Sequence, residues 1–77
     1  HYVYVLKLSN NQYYVGSTTD LKKRVKKHNE GGVPSTAKYR PVSLVWYSGF
    51  ADKDKAITFE DYLKTASGKA FRNKHLI

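Results

Sequence analysis

The sequence predicts an α+β fold in which a three-stranded antiparallel sheet is flanked by helices, in the order β-β-α-β-α-α. Three observations predict it. Two short β-favouring segments flank a polar break, a lysine-rich helical stretch follows them, and a third β-favouring run precedes two more helical stretches. The chain has 77 residues, the length of one small domain. We therefore expect residues 1–77 to form a single domain.

The three strands are predicted from β-favouring side chains and from the turn residues between them. The first covers residues 2–8, and the polar residues 9–12 have the length of a hairpin loop. Residues 13–15 then form a second strand, which we expect to pair antiparallel with the first. The third strand is predicted over residues 43–50. Its continuous apolar run favours a central or well-covered position in the sheet.

A basic helix is predicted over residues 20–29, with Thr18, Thr19 or Asp20 as its cap and Gly31 at the place of a left-handed C-terminal cap. On a helical wheel, Arg24 and His28 fall beside the apolar stripe, one turn apart. A cation at the edge of a core needs an acidic or phosphate partner, because burying it unpaired is costly. The structural alternative is an ion pair for Arg24 and a satisfied, half-buried His28, and the spacing does not decide between the two.

The second helix is predicted to begin at Asp52 or Asp54 and to run to about Thr65. We expect Ser67 to cap a short last helix over residues 69–76. Both helices carry apolar residues at helical spacing, which predicts that they pack on the sheet.

The charge of the chain favours a polyanionic partner. It carries 14 Lys+Arg against 6 Asp+Glu, a net charge of +8, and nucleic acid is the first candidate. An acidic membrane surface is a weaker candidate, because the basic helix lacks a broad apolar face and no apolar run has the length of a membrane span. The absence of cysteine excludes a disulfide framework and fits a reducing compartment, so we expect a cytoplasmic protein.

Four residues of the first half of the chain could carry chemistry. Tyr4 and Tyr14 lie one on each strand of the predicted hairpin. They are core residues by default, and the functional alternative is that their hydroxyls share a polar site and pass a proton or orient a water. Arg24 suits a phosphate because its planar fork donates two parallel hydrogen bonds. His28 suits a proton carrier near neutral pH.

Glu60 falls between Ala56 and Ile57 on the wheel of the second helix, inside the apolar arc. A carboxylate there needs a partner. The structural alternative is an ion pair with Arg24. The functional alternative is a ligand for a hard cation such as Mg²⁺, which takes one or two carboxylates together with waters and substrate phosphate.

The remaining cations are either a solvated charged face or a surface that follows a nucleic-acid backbone. Their excess over the acids favours the second interpretation, and such contacts give affinity without sequence specificity. The predicted surface consists of Lys22, Lys23, Lys26, Lys27, Lys38 and Arg40, with Lys69, Arg72 and Lys74 near the C-terminus.

Part of the sequence resembles a known family. The run Tyr-Val-Gly-Ser-Thr-x-x-Leu-x-x-Arg-x-x-x-His over residues 14–28, preceded by Tyr4 and followed by Glu60, is similar to the GIY-YIG nuclease domain. The likeness is strongest to the small stand-alone bacterial members and includes the ending at residues 62–71. It extends to the N-terminal nuclease of the excision-repair incision protein and to homing endonucleases. Tyr-Val at residues 2–3 departs from the Gly-Ile of the family name.

This resemblance implies a metal-dependent endonuclease that hydrolyses DNA phosphodiester bonds with an activated water. Tyr4 and Tyr14 would line the site, and Arg24 would stabilise charge on the scissile phosphate. His28 would assist proton transfer, and Glu60 would hold one divalent ion, Mg²⁺ or Mn²⁺.

The resemblance also bears on partners and on the end of the chain. Asn73 is the residue that corresponds to a late Asn in the final helix of family members. The expected substrate is DNA, branched or damaged in a repair setting, acted on by a monomer in the bacterial cytoplasm, with a separate protein partner as an option. Two alternatives stay open: a non-catalytic nucleic-acid-binding module that retains the nuclease fold, and a protein-interaction domain.

Overall fold

A computed structural model describes residues 1–77 and has the predicted α+β class, with the element order β-β-α-β-α-α confirmed. A short 3₁₀ turn, Ala37–Tyr39, precedes the last strand. None of the helices has the length and apolar character needed to span a bilayer. The elements are β1 (Tyr2–Lys7), β2 (Tyr13–Thr18), α1 (Leu21–Asn29), β3 (Ser43–Gly49), α2 (Lys53–Leu63) and α3 (Ala66–His75).

The first strand, not the third, is at the centre of the sheet. The strand order is β2-β1-β3, and β1 pairs antiparallel with both neighbours. The expectation that residues 43–50 occupy a central position is therefore wrong. Leu44, Val45 and Tyr47 stay exposed on β3, whereas four consecutive residues of β1 are fully buried. An apolar run does not by itself show that both faces of a strand are covered.

The helices cover the sheet from both sides. On one face, Val3 and Val5 of β1 pack with Ala56 and Leu63 of α2. On the other face, Tyr4 and its same-face neighbours on β1 pack against the aliphatic residues of α1. The alternation of side chains along β1 therefore supplies two separate halves of the core.

Local capping explains where the first two helices begin. The Asp20 carboxylate accepts a hydrogen bond from the backbone N–H of Lys23 at 3.1 Å, and Asp52 accepts one from the N–H of Asp54 at 2.8 Å. Asp52 is thus the cap of α2, and Asp54 lies in its first turn. Gly31 has a φ of 81°, the left-handed conformation predicted for it after α1.

The turn between α2 and α3 differs from the prediction. The cap of α3 is Thr65 and not Ser67, because the Thr65 hydroxyl accepts from the N–H of Gly68 at 3.0 Å. The same hydroxyl donates to the carbonyl of Tyr62 at 2.6 Å, so one side chain serves the end of one helix and the start of the next. Helix α3 consequently begins at Ala66, three residues earlier than predicted.

Gly68 permits this close approach, and its replacement by Ala tests it. An added Cβ would collide with the backbone of Tyr62 and Leu63. We expect Gly68→Ala to lower the free energy of unfolding by about 1–3 kcal/mol, the usual cost of forcing atoms into a packed site. Urea denaturation measures it. Gly49→Ala is the control, since its Cβ would meet only the Tyr2 ring, at 3.5 Å. Equal midpoints for the two variants would contradict the packing of α3 on α2.

Candidate active site

A buried chain of hydrogen bonds joins β1, α1 and the loop after α1. The Tyr4 hydroxyl lies 2.9 Å from Nε2 of His28, and Nδ1 of His28 lies 2.7 Å from the Thr36 hydroxyl. Thr36 donates in turn to the carbonyl of Val33 at 3.4 Å. The side chains of Tyr4, His28 and Thr36 are all 0% exposed. Sequence reasoning missed Thr36, because nothing in a Gly- and Pro-containing loop marks a residue that will face a histidine.

The direction of these hydrogen bonds follows from the charge of His28. Burial, and then the positive charges of Arg24 and Lys27, lower the pKa of His28 below its ordinary value, so the ring is neutral at pH 7. Since Thr36 donates to Val33, its oxygen accepts the proton of Nδ1. Nε2 then carries a lone pair and accepts the hydroxyl proton of Tyr4. With a neutral His28, this assignment satisfies every contact in the chain.

Arg24 contacts this chain of hydrogen bonds at Tyr4, the end opposite to Thr36. Its Nε donates to the Tyr4 hydroxyl at 3.3 Å. This hydrogen bond, with a further contribution from Tyr14, raises the pKa of Arg24 above its ordinary value. No carboxylate lies within 4.0 Å of the guanidinium, so the expected structural alternative, an Arg24–Glu60 ion pair, is not formed. The guanidinium is thus held in place while its fork is left for an anion.

Tyr4 is fully buried, and Gly16 of β2 makes room for it. The two residues face each other in the strand pairing, and a Cβ at residue 16 would lie 2.5 Å from the Tyr4 hydroxyl. Burial raises the pKa of Tyr4, against the opposing effect of Arg24, so the phenol keeps the proton that it donates to His28. Tyr4 has no exposed surface, so its hydroxyl is reached only by its neighbours in the structure.

Tyr14 is the accessible tyrosine of the pair. It is half-buried on β2, with its ring centroid 6.5 Å from that of Tyr4 and 5.1 Å from that of His28. The pKa of Lys64 is raised chiefly by its hydrogen bond to Glu60, and Tyr14 adds to this effect as it does for Arg24. Tyr14 therefore lies close to cations from both faces of the sheet.

Glu60 lies on the opposite side of β2 from Arg24. Its Oε1 accepts from the Ser17 hydroxyl at 2.6 Å, and its Oε2 pairs with the Lys64 ammonium at 2.6 Å. Burial alone would raise the pKa of Glu60, but the hydrogen bonds from Lys64 and Ser17 and the charge of Arg24 together lower it. The carboxylate is therefore ionised at neutral pH.

Arg24 and Glu60 lie on opposite faces of the sheet, near the free edge that β2 forms. Tyr14 and Gly16 point to the face that α1 covers, whereas Ser17 points to the face that α2 covers. Because β2 is an edge strand, nothing separates the two faces beyond it. The structure thus brings Tyr4, Tyr14, Arg24 and His28 into direct contact, and Glu60 close enough for Arg24 to affect its pKa.

The residues at this edge fit a single hard cation. No group of three or more His, Cys, Asp or Glu side chains is positioned to hold a metal, so the protein would supply at most two such ligands to an ion beside Glu60. Glu60 is ionised, and each of its oxygens accepts only one hydrogen bond, which leaves each a further lone pair. One carboxylate together with water and phosphate oxygens is a normal Mg²⁺ environment. Lys64 competes for the same oxygen.

The predicted DNA-binding cations are exposed. They lie on the outer side of α1 and on the loop that follows it: Lys22, Lys23, Lys26, Lys27, Lys38 and Arg40. Asn73 lies elsewhere, on α3, where its Oδ1 accepts from Nε of Arg72 at 3.3 Å. It lines a cavity that contains neither Glu60 nor Arg24.

Sequence reasoning also missed the two partners of Glu60, although each left a signal. Lys64 follows Glu60 by four residues on the same helix, a spacing at which opposite charges commonly pair. Ser17 follows Gly16 on β2, so strand alternation places it on the face opposite to Tyr14.

A family comparison agrees with this geometry. The model of the GIY-YIG catalytic domain matches residues 1–74. The chain belongs to the GIY-YIG catalytic domain family. Membership of this family of nuclease domains supports an endonuclease-type function.

Bacterial relatives share the domain. The GIY-YIG chain is 43% identical over 70 residues to the UPF0213 protein YazA of Bacillus subtilis, which covers 90% of this chain and 71% of the relative. A UPF0213 protein of Streptococcus pneumoniae serotype 4 is 42% identical over 64 residues, 82% of this chain and 65% of the relative. The solution NMR structure of the UPF0213 protein BH0048 from Bacillus halodurans is similar with a TM-score of 0.61 at 35% identity, covering 96% of this chain and 80% of that one.

The buried, neutral His28 predicts how stability depends on pH. Its folded-state pKa is lowered, so below pH 6.5 the unfolded chain binds a proton that the folded protein does not. The stability due to neutral His28 is complete above 6.5 and is lost as pH falls from there towards the lower folded pKa. We expect the urea concentration at the unfolding midpoint to be lower at about pH 5 than at about pH 8.

Two histidine variants separate this effect from general acid sensitivity. His28→Gln should show a smaller fall in midpoint between the two pH values, whereas His75→Gln, at an exposed position on α3, should behave like the wild type. An undiminished fall in His28→Gln would contradict a buried neutral imidazole.

Proposed function

We propose that the protein is an endonuclease that hydrolyses DNA phosphodiester bonds by attack of an activated water and depends on one divalent ion. One observation carries the proposal. A guanidinium without an acid partner, that of Arg24, is fixed by the buried Tyr4 hydroxyl at the same sheet edge as the ionised Glu60. A phosphodiester bound at this edge would supply the negative charge that the Arg24 guanidinium lacks.

Arg24 stabilises the charge that develops on the phosphate. Its Nε is occupied by Tyr4, and the rest of its fork is available for two parallel hydrogen bonds to phosphate oxygens. Because the donor is fixed before the substrate arrives, little reorganisation is needed as charge builds up. Tyr4 and His28, both inaccessible, are positioning residues for Arg24.

Tyr14 is the proposed partner of the attacking water. Of Tyr4 and Tyr14, only Tyr14 has exposed surface, and it lies beside cations from both faces of the sheet. Its hydroxyl can orient a water or accept its proton. A proton that is transferred to His28 has to pass through the Tyr4 hydroxyl, since Nδ1 of His28 is engaged by Thr36.

Glu60 is the proposed ligand of a divalent ion, Mg²⁺ or Mn²⁺. Such an ion supplies positive charge at the phosphate and lowers the pKa of a bound water. Ser17 fixes the orientation of the carboxylate from one side, and Lys64 does so from the other. For the ion to bind, the Lys64 ammonium has to leave Oε2 of Glu60 or share this oxygen with the ion.

The exposed cations on α1 and its following loop are proposed to bind the DNA backbone. Contacts of this kind give salt-sensitive affinity without sequence specificity, and the net charge of +8 supports them. With so little surface for choosing a target, we propose that selection rests on DNA structure, such as a branch or lesion, or on a separate protein partner. The proposed setting is a monomer acting in DNA repair in the bacterial cytoplasm.

Cleavage assays on Glu60 and Arg24 variants test the proposal. Duplex, flap, junction and single-stranded DNA are incubated with Mg²⁺ or Mn²⁺ and the protein. We expect Glu60→Gln and Arg24→Ala each to lower the cleavage rate by about 10²-fold or more, as is usual when a charge-stabilising group is removed. DNA binding in EDTA should persist in Glu60→Gln.

Asp61→Asn is the matched control, because it removes the same charge from the neighbouring, exposed position on α2. It should cleave at the wild-type rate. Substantial cleavage by purified Glu60→Gln, with a wild-type urea midpoint, would contradict the assignment of Glu60.

A non-catalytic DNA-binding module is the second candidate. The complete Glu60–Lys64 ion pair favours it, since the carboxylate already has a cationic partner. This candidate predicts salt-sensitive DNA binding with no cleavage by the wild-type protein under any divalent metal.

A further inference from the structure

Arg72 on α3 is a charged residue buried well away from Arg24. Its side chain is only 9% exposed, and its guanidinium carbon lies 5.3 Å from the centroid of the Tyr13 ring on β2. A cation at this distance over an aromatic face is attracted by the ring. Arg72 is therefore packed against β2, unlike the exposed surface lysines.

This buried cation has no acidic partner. The one ion pair in the structure joins Glu60 to Lys64, and Nε of Arg72 donates only to the neutral amide of Asn73. A buried charge without a counter-charge is costly unless another group compensates it. No fully buried side-chain nitrogen lacks a hydrogen-bond partner, so the unbonded nitrogens of Arg72 are at least partly accessible from open space.

That open space is a cavity of about 620 Å³ between α3 and the start of β2. Two cations and two amides are among its six lining residues, and none of the six is Asp or Glu: Gln12, Tyr13, Lys69, Arg72, Asn73 and Ile77. A second cavity of about 240 Å³ shares Tyr13, Lys69 and Arg72 with the first and extends to Tyr14 and Lys64. The basic cavity thus has three lining residues in common with a cavity that is bordered by Tyr14 and Lys64.

We propose that the basic cavity binds a second phosphate of the DNA strand that is cleaved. The proposal rests on the proposed function and extends it. The fork of Arg72 suits bidentate contact with a phosphodiester, and Lys69 adds a point charge at the same cavity. Asn73 holds Nε of Arg72 and orients the fork.

The placement of the cations gives the path of the strand. The α1 lysines lie on the side of the sheet that carries Tyr4, whereas Arg72 packs against Tyr13, whose side chain joins the core on the other side. A strand that contacts both passes the edge of β2, between the faces that carry Arg24 and Glu60. Binding at the basic cavity would therefore hold the scissile phosphate in register with Arg24.

Salt-dependent DNA binding is the first test. Fluorescence anisotropy of labelled flap and single-stranded DNA is measured in EDTA over a range of NaCl for the wild type, Lys69→Gln, Arg72→Gln and Lys53→Gln. We expect Lys69→Gln and Arg72→Gln each to reduce the slope of log affinity against log salt by about one, the change for one lost phosphate contact. Lys53→Gln is the matched control, since Lys53 is exposed and lines neither cavity.

A scan with neutral phosphates then locates the contact. Single methylphosphonates are placed in turn at every backbone position of the labelled DNA. We expect one position, beside the scissile phosphate, at which neutralisation weakens binding by the wild type but has no further effect on Arg72→Gln or Lys69→Gln. Wild-type slopes for both variants, or losses that are equal at every position, would overturn the proposal. If Arg72→Gln fails to fold, Lys69→Gln at its exposed position gives the same answer.

Two further arms separate this proposal from its alternatives. Inorganic phosphate is titrated into the wild type while the Asn73 amide is followed by NMR. Saturable binding without any position-dependent effect in DNA would overturn the backbone assignment in favour of a free anion. Coupling at one position without cleavage of any substrate would refute the proposed function and keep the phosphate site. Cleavage without such coupling would refute the phosphate site and keep the proposed function.

Discussion

The Tyr4 hydroxyl is the group on which the rest of the site depends. It is fully buried, accepts from Arg24 and lies within hydrogen-bond distance of His28, so it joins the central strand to two turns of α1. A buried polar group left without its partner costs about 1–3 kcal/mol. Loss of this hydroxyl would leave Nε2 of the fully buried His28 in that state and would release Nε of the half-buried Arg24. The arrangement of Arg24 is thus fixed by the core and not by an acid.

This arrangement explains how a cation can remain at a core edge without a carboxylate. In a stable ion pair the fork of Arg24 would be saturated, and a phosphate would have to displace the acid. Here the acid at the same sheet edge, Glu60, pairs with Lys64 and Ser17 instead. The cationic and anionic groups are consequently close to each other but not bonded.

The edge strand β2 makes the two-sided site accessible. Alternation along β2 sends Tyr14 and Gly16 to one face and Ser17 to the other, within four consecutive residues. In a central strand these faces would be separated by a neighbouring strand, whereas at the edge one ligand can contact both. In a chain of 77 residues, the candidate site can therefore include side chains from both faces of the sheet.

Local signals made much of the fold predictable. Asp20 and Gly31 mark the ends of α1 through backbone chemistry that involves only near neighbours. The position of β3 at the sheet edge was not predictable from its apolar run, since the run does not reveal which faces the helices cover. The cap of α3 was misplaced because Thr65 and Ser67 are both good caps, and only the close approach at Gly68 selects Thr65.

The grouping of side chains at the candidate site was only partly predictable from the sequence. A helical wheel placed Arg24 and His28 beside the core stripe, and the structure puts both against Tyr4. The sequence could not show that Thr36, on a loop, would complete the chain. Nor could it separate Arg72 from the surface lysines, because its burial depends on Tyr13, which is distant in sequence.

The single-turnover cleavage rate of Tyr4→Phe, measured with the best DNA substrate and saturating Mg²⁺, tests the central claim most directly. The variant removes one buried oxygen that no substrate can touch. We expect a rate loss of about 10²-fold with DNA affinity retained, because a misplaced Arg24 no longer meets the developing charge. A folded Tyr4→Phe protein that cleaves at the wild-type rate would contradict the role of the buried hydroxyl in holding Arg24.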